Sequence, residues 1–236
     1  PLEKPWFSYN EDLVLETITS EKPKLAIIGY PSNPVGNMPS PKLVLEIADH
    51  VPIVLVDEAY YEFSRETLKD YALSRENIVV TRTMSKAFGL AGARIGYALS
   101  NKDIIDYLKR LVNRYGISRL SVVAAINALE HLDYYKRTID LIIAERDRVY
   151  SELKKYSELM VFPSKTNFLL IKIMLENIKS MHIVLNLLEH RVIVRPVQAY
   201  GLDEEDRFFR ISIGRRQDND LFLRVLPNII YGLSSR

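Results

Sequence analysis

The sequence predicts an α/β protein: a large, mainly parallel sheet with helices on its faces over residues 1–130, then a smaller α+β unit over 131–236. Three observations predict it. Short apolar runs ending in polar turn residues alternate with helical patterns through the first hundred residues, as parallel strands with crossover helices require. Apolar residues then recur at helical spacing through the middle of the chain. Beyond about residue 156, strand and helix patterns mix without that alternation.

The elements follow in order. Lys24–Tyr30 is a short apolar run that enters a Pro/Asn/Gly loop, so it reads as a buried strand. Ser40 caps a helix with Pro41 in its first turn, running to about His50, and Pro52 stops it. Ile53–Val56 is the second strand and ends on Asp57. Asn77–Thr81 is the third and ends just before Ser85-Lys86; Arg94–Leu99 is a fourth. A helix over Asp103–Arg114 gathers Ile104, Ile105, Leu108, Leu111 and Val112 on one face. A longer one from Asp133 to about Tyr156 carries the stripe Ile139, Ile142, Val149 and Leu153. A strand at Asn167–Ile173, a helix at Asn177–Arg191, strands at Val192–Val197 and Phe208–Ile213, and a closing helix through Leu221–Ile230 complete the chain. The division between the two units falls in the helical stretch near residue 130, not at a flexible linker. There are no repeats or low-complexity tracts.

Composition narrows the function classes. Hydrophobic residues at 47% and charged residues at 26% are ordinary for a soluble globular protein. The 32 basic and 30 acidic residues leave a net charge of +2, which argues against a nucleic-acid surface or a polybasic membrane anchor. The cluster Arg207, Arg210, Arg215 and Arg216 therefore needs a local explanation. The absence of cysteine excludes disulfides, thiolate metal sites and a cysteine nucleophile. His50, His131, His182 and His190 are far apart without ligand spacing, so each is expected to cap or face a helix, and no metal site is expected. No apolar run reaches bilayer length, and residues 1–5 lack the apolar core of a signal peptide. The expected location is the cytoplasm.

In an open parallel sheet the ligand crevice lies at the carboxyl ends of the strands. Three such ends carry distinctive polar groups. Tyr30-Pro31-Ser32-Asn33-Pro34-Val35-Gly36 reads by itself as a turn. In Val56-Asp57-Glu58-Ala59-Tyr60, an aspartate straight after a buried strand calls for a cationic partner, although for an isolated Asp a helix N-cap is the favoured reading. In the segment from Thr81 to Arg94, Thr83, Ser85, Lys86 and Arg94 lie among small residues, which suits a phosphate held by hydroxyls and a guanidinium. Taken singly, Lys86 is a solvated surface lysine.

Taken together and in order, these motifs resemble the fold-type I pyridoxal-phosphate family, the aminotransferase classes related to aspartate aminotransferase, across Asn33 to Arg210. The resemblance implies the three-layer PLP-dependent transferase large domain, incomplete here, followed by a small C-terminal domain. It implies pyridoxal 5'-phosphate as cofactor and gives the residues roles. Lys86 is the lysine that bonds to the cofactor aldehyde and moves the proton during turnover. Asp57 pairs with the pyridine nitrogen and keeps it protonated. Asn33 and Tyr60 hydrogen-bond the phenolic oxygen, while Thr83, Ser85 and Arg94 hold the phosphate. Arg210, in Phe209-Arg210-Ile211-Ser212, clamps the substrate α-carboxylate.

Asp57-Glu58-Ala59-Tyr60-Tyr61-Glu62-Phe63, Arg82-Thr83-Met84-Ser85-Lys86-Ala87-Phe88 and Ile193-Val194-Arg195-Pro196 are most similar to the histidinol-phosphate aminotransferase subfamily. There Arg195 matches a residue that binds the substrate phosphate; a structural salt bridge is its other reading. The implied reaction, in histidine biosynthesis, exchanges an amino group between a phosphorylated amino alcohol, histidinol phosphate, and a 2-oxo acid, 2-oxoglutarate. Aromatic-amino-acid aminotransferases and phosphothreonine decarboxylases share most of these residues, and a catalytically silent relative acting as an interaction partner is the non-enzyme alternative. The resemblance also implies a homodimer in the intact enzyme. Family members carry roughly a hundred residues or more before this point, so the chain is expected to be a fragment with Lys24–Tyr30 left as an uncovered apolar edge.

Overall fold

The computed structural model describes residues 2–113, 116–197 and 206–234. Its contacts divide the chain into two units, Pro1–Asn33 with Asn37–Ile139, and Pro34–Gly36 with Asp140–Arg236. The division falls inside a continuous helix.

In the first unit a short antiparallel pair, β1 (Leu2–Glu3) and β2 (Ser8–Tyr9), precedes α1 (Glu11–Glu21). The Asn10 side chain caps α1 by accepting from the Leu13 N–H. Next come β3 (Leu25–Gly29), α2 (Pro41–His50) and β4 (Ile53–Asp57). Ser40 caps α2 as its sequence predicts: its hydroxyl accepts from the Leu43 N–H at 3.1 Å and donates to Glu11 at 2.7 Å. Such a cap is worth about 1 kcal/mol. Two short helices, α3 (Tyr61–Ser64) and α4 (Lys69–Ser74), lead to β5 (Ile78–Thr83) and, after the turn Ala91–Ala93, to β6 (Gly96–Leu99).

The sheet order is β3-β4-β5-β6, parallel through the first three strands and antiparallel at the last. The reversal has a local cause. Residues 84–95 contain no crossover helix, so the chain turns back beside the strand it has just left. That pairing also carries β5 two residues past its expected end, because Arg82 pairs with Tyr97 and Thr83 with Gly96. Val54, Val56, Ile78 and Val80 are fully buried against Leu43, Val44 and Ile47 of α2. Burial of each such side chain stabilises by roughly 1.5–3 kcal/mol. At the sheet edge, β3 leaves Leu25 at 48% and Ile27 at 69% exposure.

Helices α5 (Lys102–Leu111), α6 (Arg119–Glu130) and α7 (Leu132–Leu153) follow. The helical spacing of α5 is real, yet none of its residues is buried and Leu111 is 83% exposed. Periodicity reveals an apolar stripe, not what covers it. The expected terminus at Arg114 lies outside the described residues. Leu120, Val123 and Ile126 of α6 are likewise exposed.

The second unit is an antiparallel sheet in the order β7-β8-β10-β9, from β7 (Leu159–Val161), β8 (Phe168–Ile173), β9 (Arg195–Pro196) and β10 (Phe208–Ser212), with α8 (Ser180–Glu189) and α9 (Arg216–Ser234). Leu169, Ile171, Phe209 and Ile211 project from one face onto Val149 and Leu153 of α7, Leu187 of α8 and Leu226 of α9. The expected strand over Val192–Val197 shrinks to two residues, since pairing with β10 reaches only Arg195 and Pro196, and proline donates no ladder bond. The histidines sit at helices: His50 ends α2, His182 lies in the first turn of α8, and His131 and His190 reach the Asn127 and Asn186 carbonyls behind α6 and α8. Among the described residues no helix is long and apolar enough to cross a membrane, and no cluster of three or more His, Cys, Asp or Glu could hold a metal ion.

Gly36 shows a backbone requirement. Its φ is +86°, its carbonyl accepts from the Lys165 N–H at 2.8 Å, and a Cβ there would lie 2.3 Å from Ser164 Oγ. Gly36→Ala is therefore expected to lower stability by more than about 1 kcal/mol, read as a lower urea midpoint. A midpoint equal to wild type would mean the turn relaxes freely.

Candidate active site

Because β3, β4 and β5 run parallel, their carboxyl ends share one edge of the sheet. Gly29 registers with Asp57 and Asp57 with Thr81. Past the strands the pairing continues: the Tyr30 N–H donates to the Asp57 carbonyl at 2.8 Å and the Glu58 N–H to the Thr81 carbonyl at 2.9 Å. The three polar segments singled out in the sequence are thus neighbours through their backbones.

The loop after β5 folds on itself, with the Gly89 N–H on the Lys86 carbonyl and the Leu90 N–H on the Met84 carbonyl. Met84, Ala87 and Phe88 are buried, and Lys86 between them is exposed. Apolar anchors on both sides thus present the lysine outward. Its Nζ lies 5.7 Å from the ring centroid of Tyr60, a buried residue at the end of β4. Thr83 Oγ1 donates to Ser85 Oγ at 2.9 Å and accepts from the Ser85 N–H at 3.1 Å, so two hydroxyls share one turn. Asn33 is exposed on the loop after β3. Arg94 lies in the left-handed region at φ +51°, its guanidinium donating to the Ala91 carbonyl at 3.3 Å. The Met84 N–H binds the carbonyl of Ile95, next in the chain, which keeps Arg94 near the Thr83–Ser85 turn.

Asp57 is exposed at the sheet edge, and its Oδ1 accepts from the Ala59 N–H at 3.0 Å. The fully buried carboxylate is the next residue, Glu58. Oε1 accepts from the Leu68 N–H at 2.7 Å and Oε2 from Arg82 Nε at 2.9 Å, with Arg82 Nη2 2.8 Å from Oε2 in the same ion pair. The reason is strand alternation: neighbours point to opposite faces, and the covered face falls to Glu58. Sequence reasoning missed Glu58 and Arg82; the signal available was a charged residue at each of two adjacent strand ends. Around this pair, burial pushes the Tyr30 hydroxyl up to about 12, helped by the charges of Glu66 and Glu58.

Arg195 and Arg210 register directly across β9 and β10, and both line a cleft of about 620 Å³ in the second unit. The Arg210 guanidinium lies 4.7 Å from the Phe168 ring centroid. The two guanidinium-bearing side chains thus share one face of the strand pair. The rest of the arginine cluster includes two surface ion pairs: Arg215 pairs with Asp218 and Arg216 with Glu145.

The parallel strand ends bring the outward lysine and the paired hydroxyls to one edge of the sheet in an α/β domain. The chain belongs to the class I and II aminotransferases; a sequence model of that family matches residues 7–226. A histidinol-phosphate aminotransferase of Archaeoglobus fulgidus is 39% identical over 214 residues, which are 91% of this chain and 60% of that relative. That of Methanococcus maripaludis is 35% identical over 232 residues, 97% of this chain and 62% of its own. The chain thus spans about 60% of the length of the curated relatives it matches. Among solved structures, the histidinol-phosphate aminotransferase of Sinorhizobium meliloti in complex with pyridoxal 5'-phosphate superposes at a TM-score of 0.83 and 32% identity, covering 95% of this chain and 62% of that one.

Glu62, near the buried pair, gives a pH test. Burial raises its pKa above the usual carboxylate value, against the opposing pull of Arg82. A carboxyl raised in the folded state stabilises while protonated and loses that contribution as pH rises through its folded pKa. Glu62→Gln is expected to melt at a higher temperature than wild type at about pH 7 and to match it near pH 4. Equal melting at both values would mean that Glu62 is solvated alike folded and unfolded.

Proposed function

We propose that this chain carries the cofactor and substrate residues of a pyridoxal-phosphate-dependent aminotransferase that exchanges an amino group between histidinol phosphate and 2-oxoglutarate. The observation that carries the proposal is the meeting of Asp57, Tyr60, Thr83, Ser85 and Lys86 at one sheet edge. The donor set fits the cofactor. Two hydroxyls 2.9 Å apart, with Arg94 nearby, suit a phosphate ester. A carboxylate without a salt bridge among the described residues suits a protonated ring nitrogen, and an exposed amine beside an aromatic ring suits an aldehyde.

When bound, pyridoxal 5'-phosphate supplies an electron-withdrawing ring that acidifies the substrate Cα–H. Asp57 holds the proton on the ring nitrogen. The Tyr60 hydroxyl and the Asn33 amide hydrogen-bond the phenolic oxygen. Thr83, Ser85 and Arg94 hold the phosphate. The Lys86 amine would take the proton from the substrate Cα and deliver it to the carbon that carried the cofactor aldehyde, acting as a positioned general base and then acid. Arg210 clamps the α-carboxylate of the glutamate and 2-oxoglutarate pair, since histidinol phosphate carries none, and Arg195 takes the phosphate of histidinol phosphate. Their cross-strand register supports anions at both positions. The same reading gives a homodimer in the cytoplasm.

Pyridoxal 5'-phosphate added to the protein is expected to give a near-visible absorbance band that borohydride abolishes. Lys86→Ala should lack it; an unchanged band in that variant would overturn the assignment. Arg195→Gln is expected to raise KM for histidinol phosphate roughly tenfold to a hundredfold through loss of a charged hydrogen bond, with KM for glutamate little changed. An equal rise for both substrates would remove the phosphate role of Arg195.

A further inference from the structure

Glu58 and Arg82 make a buried ion pair that the chemistry above does not use. Glu58 is fully buried, and the Arg82 side chain is 9% exposed. Thr67 joins them: its hydroxyl lies 2.8 Å and 2.9 Å from the two Glu58 oxygens and accepts from Arg82 Nη2 at 2.7 Å. The guanidinium stacks 3.5 Å from the Tyr61 ring centroid, and Arg82 registers directly with Tyr97 on β6. One side chain on β5 thereby ties down the segment after β4, the approach to α4, and β6.

The position of the pair in the chain gives this meaning. Glu58 directly follows Asp57, and Arg82 directly precedes Thr83, with Ser85 and Lys86 close behind. Asp57 registers with Thr81, and side chains alternate along a strand. Arg82 therefore points to the opposite face from Thr81 and Thr83, and pairs there with Glu58. The pair cannot touch a ligand in the crevice; it acts through the backbone of both strand ends.

We infer that the Glu58–Arg82 pair is a positioning device that fixes the separation between the Asp57 carboxylate and the Thr83–Lys86 turn, the two halves of the crevice that must grip opposite ends of one ring. This rests on the function proposed above. A buried ion pair is not required for stability as such, because well-packed apolar residues commonly replace one at no loss. Its geometry, with the guanidinium fork set on a carboxylate oxygen through Nε and on the bridging threonine through Nη2, defines one distance and one orientation, which apolar packing does not.

The test compares wild type with the double variant Glu58→Leu/Arg82→Met and with Arg82→Lys, which keeps the charge and loses the fork. Melting temperature without cofactor and the dissociation constant for pyridoxal 5'-phosphate, from its absorbance band, are measured for each. The double variant is expected to melt near wild type and to bind the cofactor about a hundredfold more weakly, the scale of a small misplacement. Arg82→Lys should fall between the two. A well-folded double variant with the wild-type constant would reduce the pair to a structural element. If the double variant does not fold, Arg82→Lys decides the matter, and an unchanged constant overturns the inference. A wild type that takes up no cofactor overturns this inference together with the proposed function. A wild type and variants that all bind alike overturn the inference only.

Discussion

Everything at the crevice depends on the parallel register of β3, β4 and β5. Each strand ends at the same edge, so residues far apart in sequence leave the sheet side by side. The Tyr30 N–H on the Asp57 carbonyl and the Glu58 N–H on the Thr81 carbonyl extend that register one residue past the ladder. A slip of one residue would exchange Asp57 with Glu58 between exposed and buried faces. Both are carboxylates, so composition would be unchanged, yet the crevice would lose its exposed carboxylate and the interior its paired one.

Register is secured on the buried side. Val54, Val56, Ile78 and Val80 are fully buried in one cluster with Leu43, Val44 and Ile47 of α2, and their alternation admits one phase of the strands. The Glu58–Arg82 pair extends the same specification into polar territory. An unpaired charge there costs several kcal/mol, so the arrangement satisfying both partners is strongly selected over near-misses. Across the second unit the opposite logic holds. Arg195 and Arg210 face one another over β9 and β10, where like charges oppose pairing. The fold tolerates that juxtaposition beside an open cleft, where an anion and water can reach both.

The strands were legible because their apolar runs are short and end in turn-forming residues. The α2 start at Ser40-Pro41 was legible because the capping chemistry is local. Lys86 and its neighbours stood out as a run of polar and small residues at a strand end. Less was legible where a residue's surroundings come from elsewhere in the chain. The α5 stripe has helical spacing but finds no cover among the described residues. β9 is two residues long because its pairing with β10 reaches only Arg195 and Pro196. Which of Asp57 and Glu58 is enclosed could not be read from their order in the chain, and it is Glu58.

The sequence by itself determined the order of elements, their caps and turns, and which residue types stand at each strand end, because these follow from periodicity and short-range chemistry. Tertiary structure alone decided which of two adjacent carboxylates is buried and that Arg82 is the partner of Glu58. Those outcomes depend on which face of a strand another element covers, and that is settled by contacts between segments many residues apart.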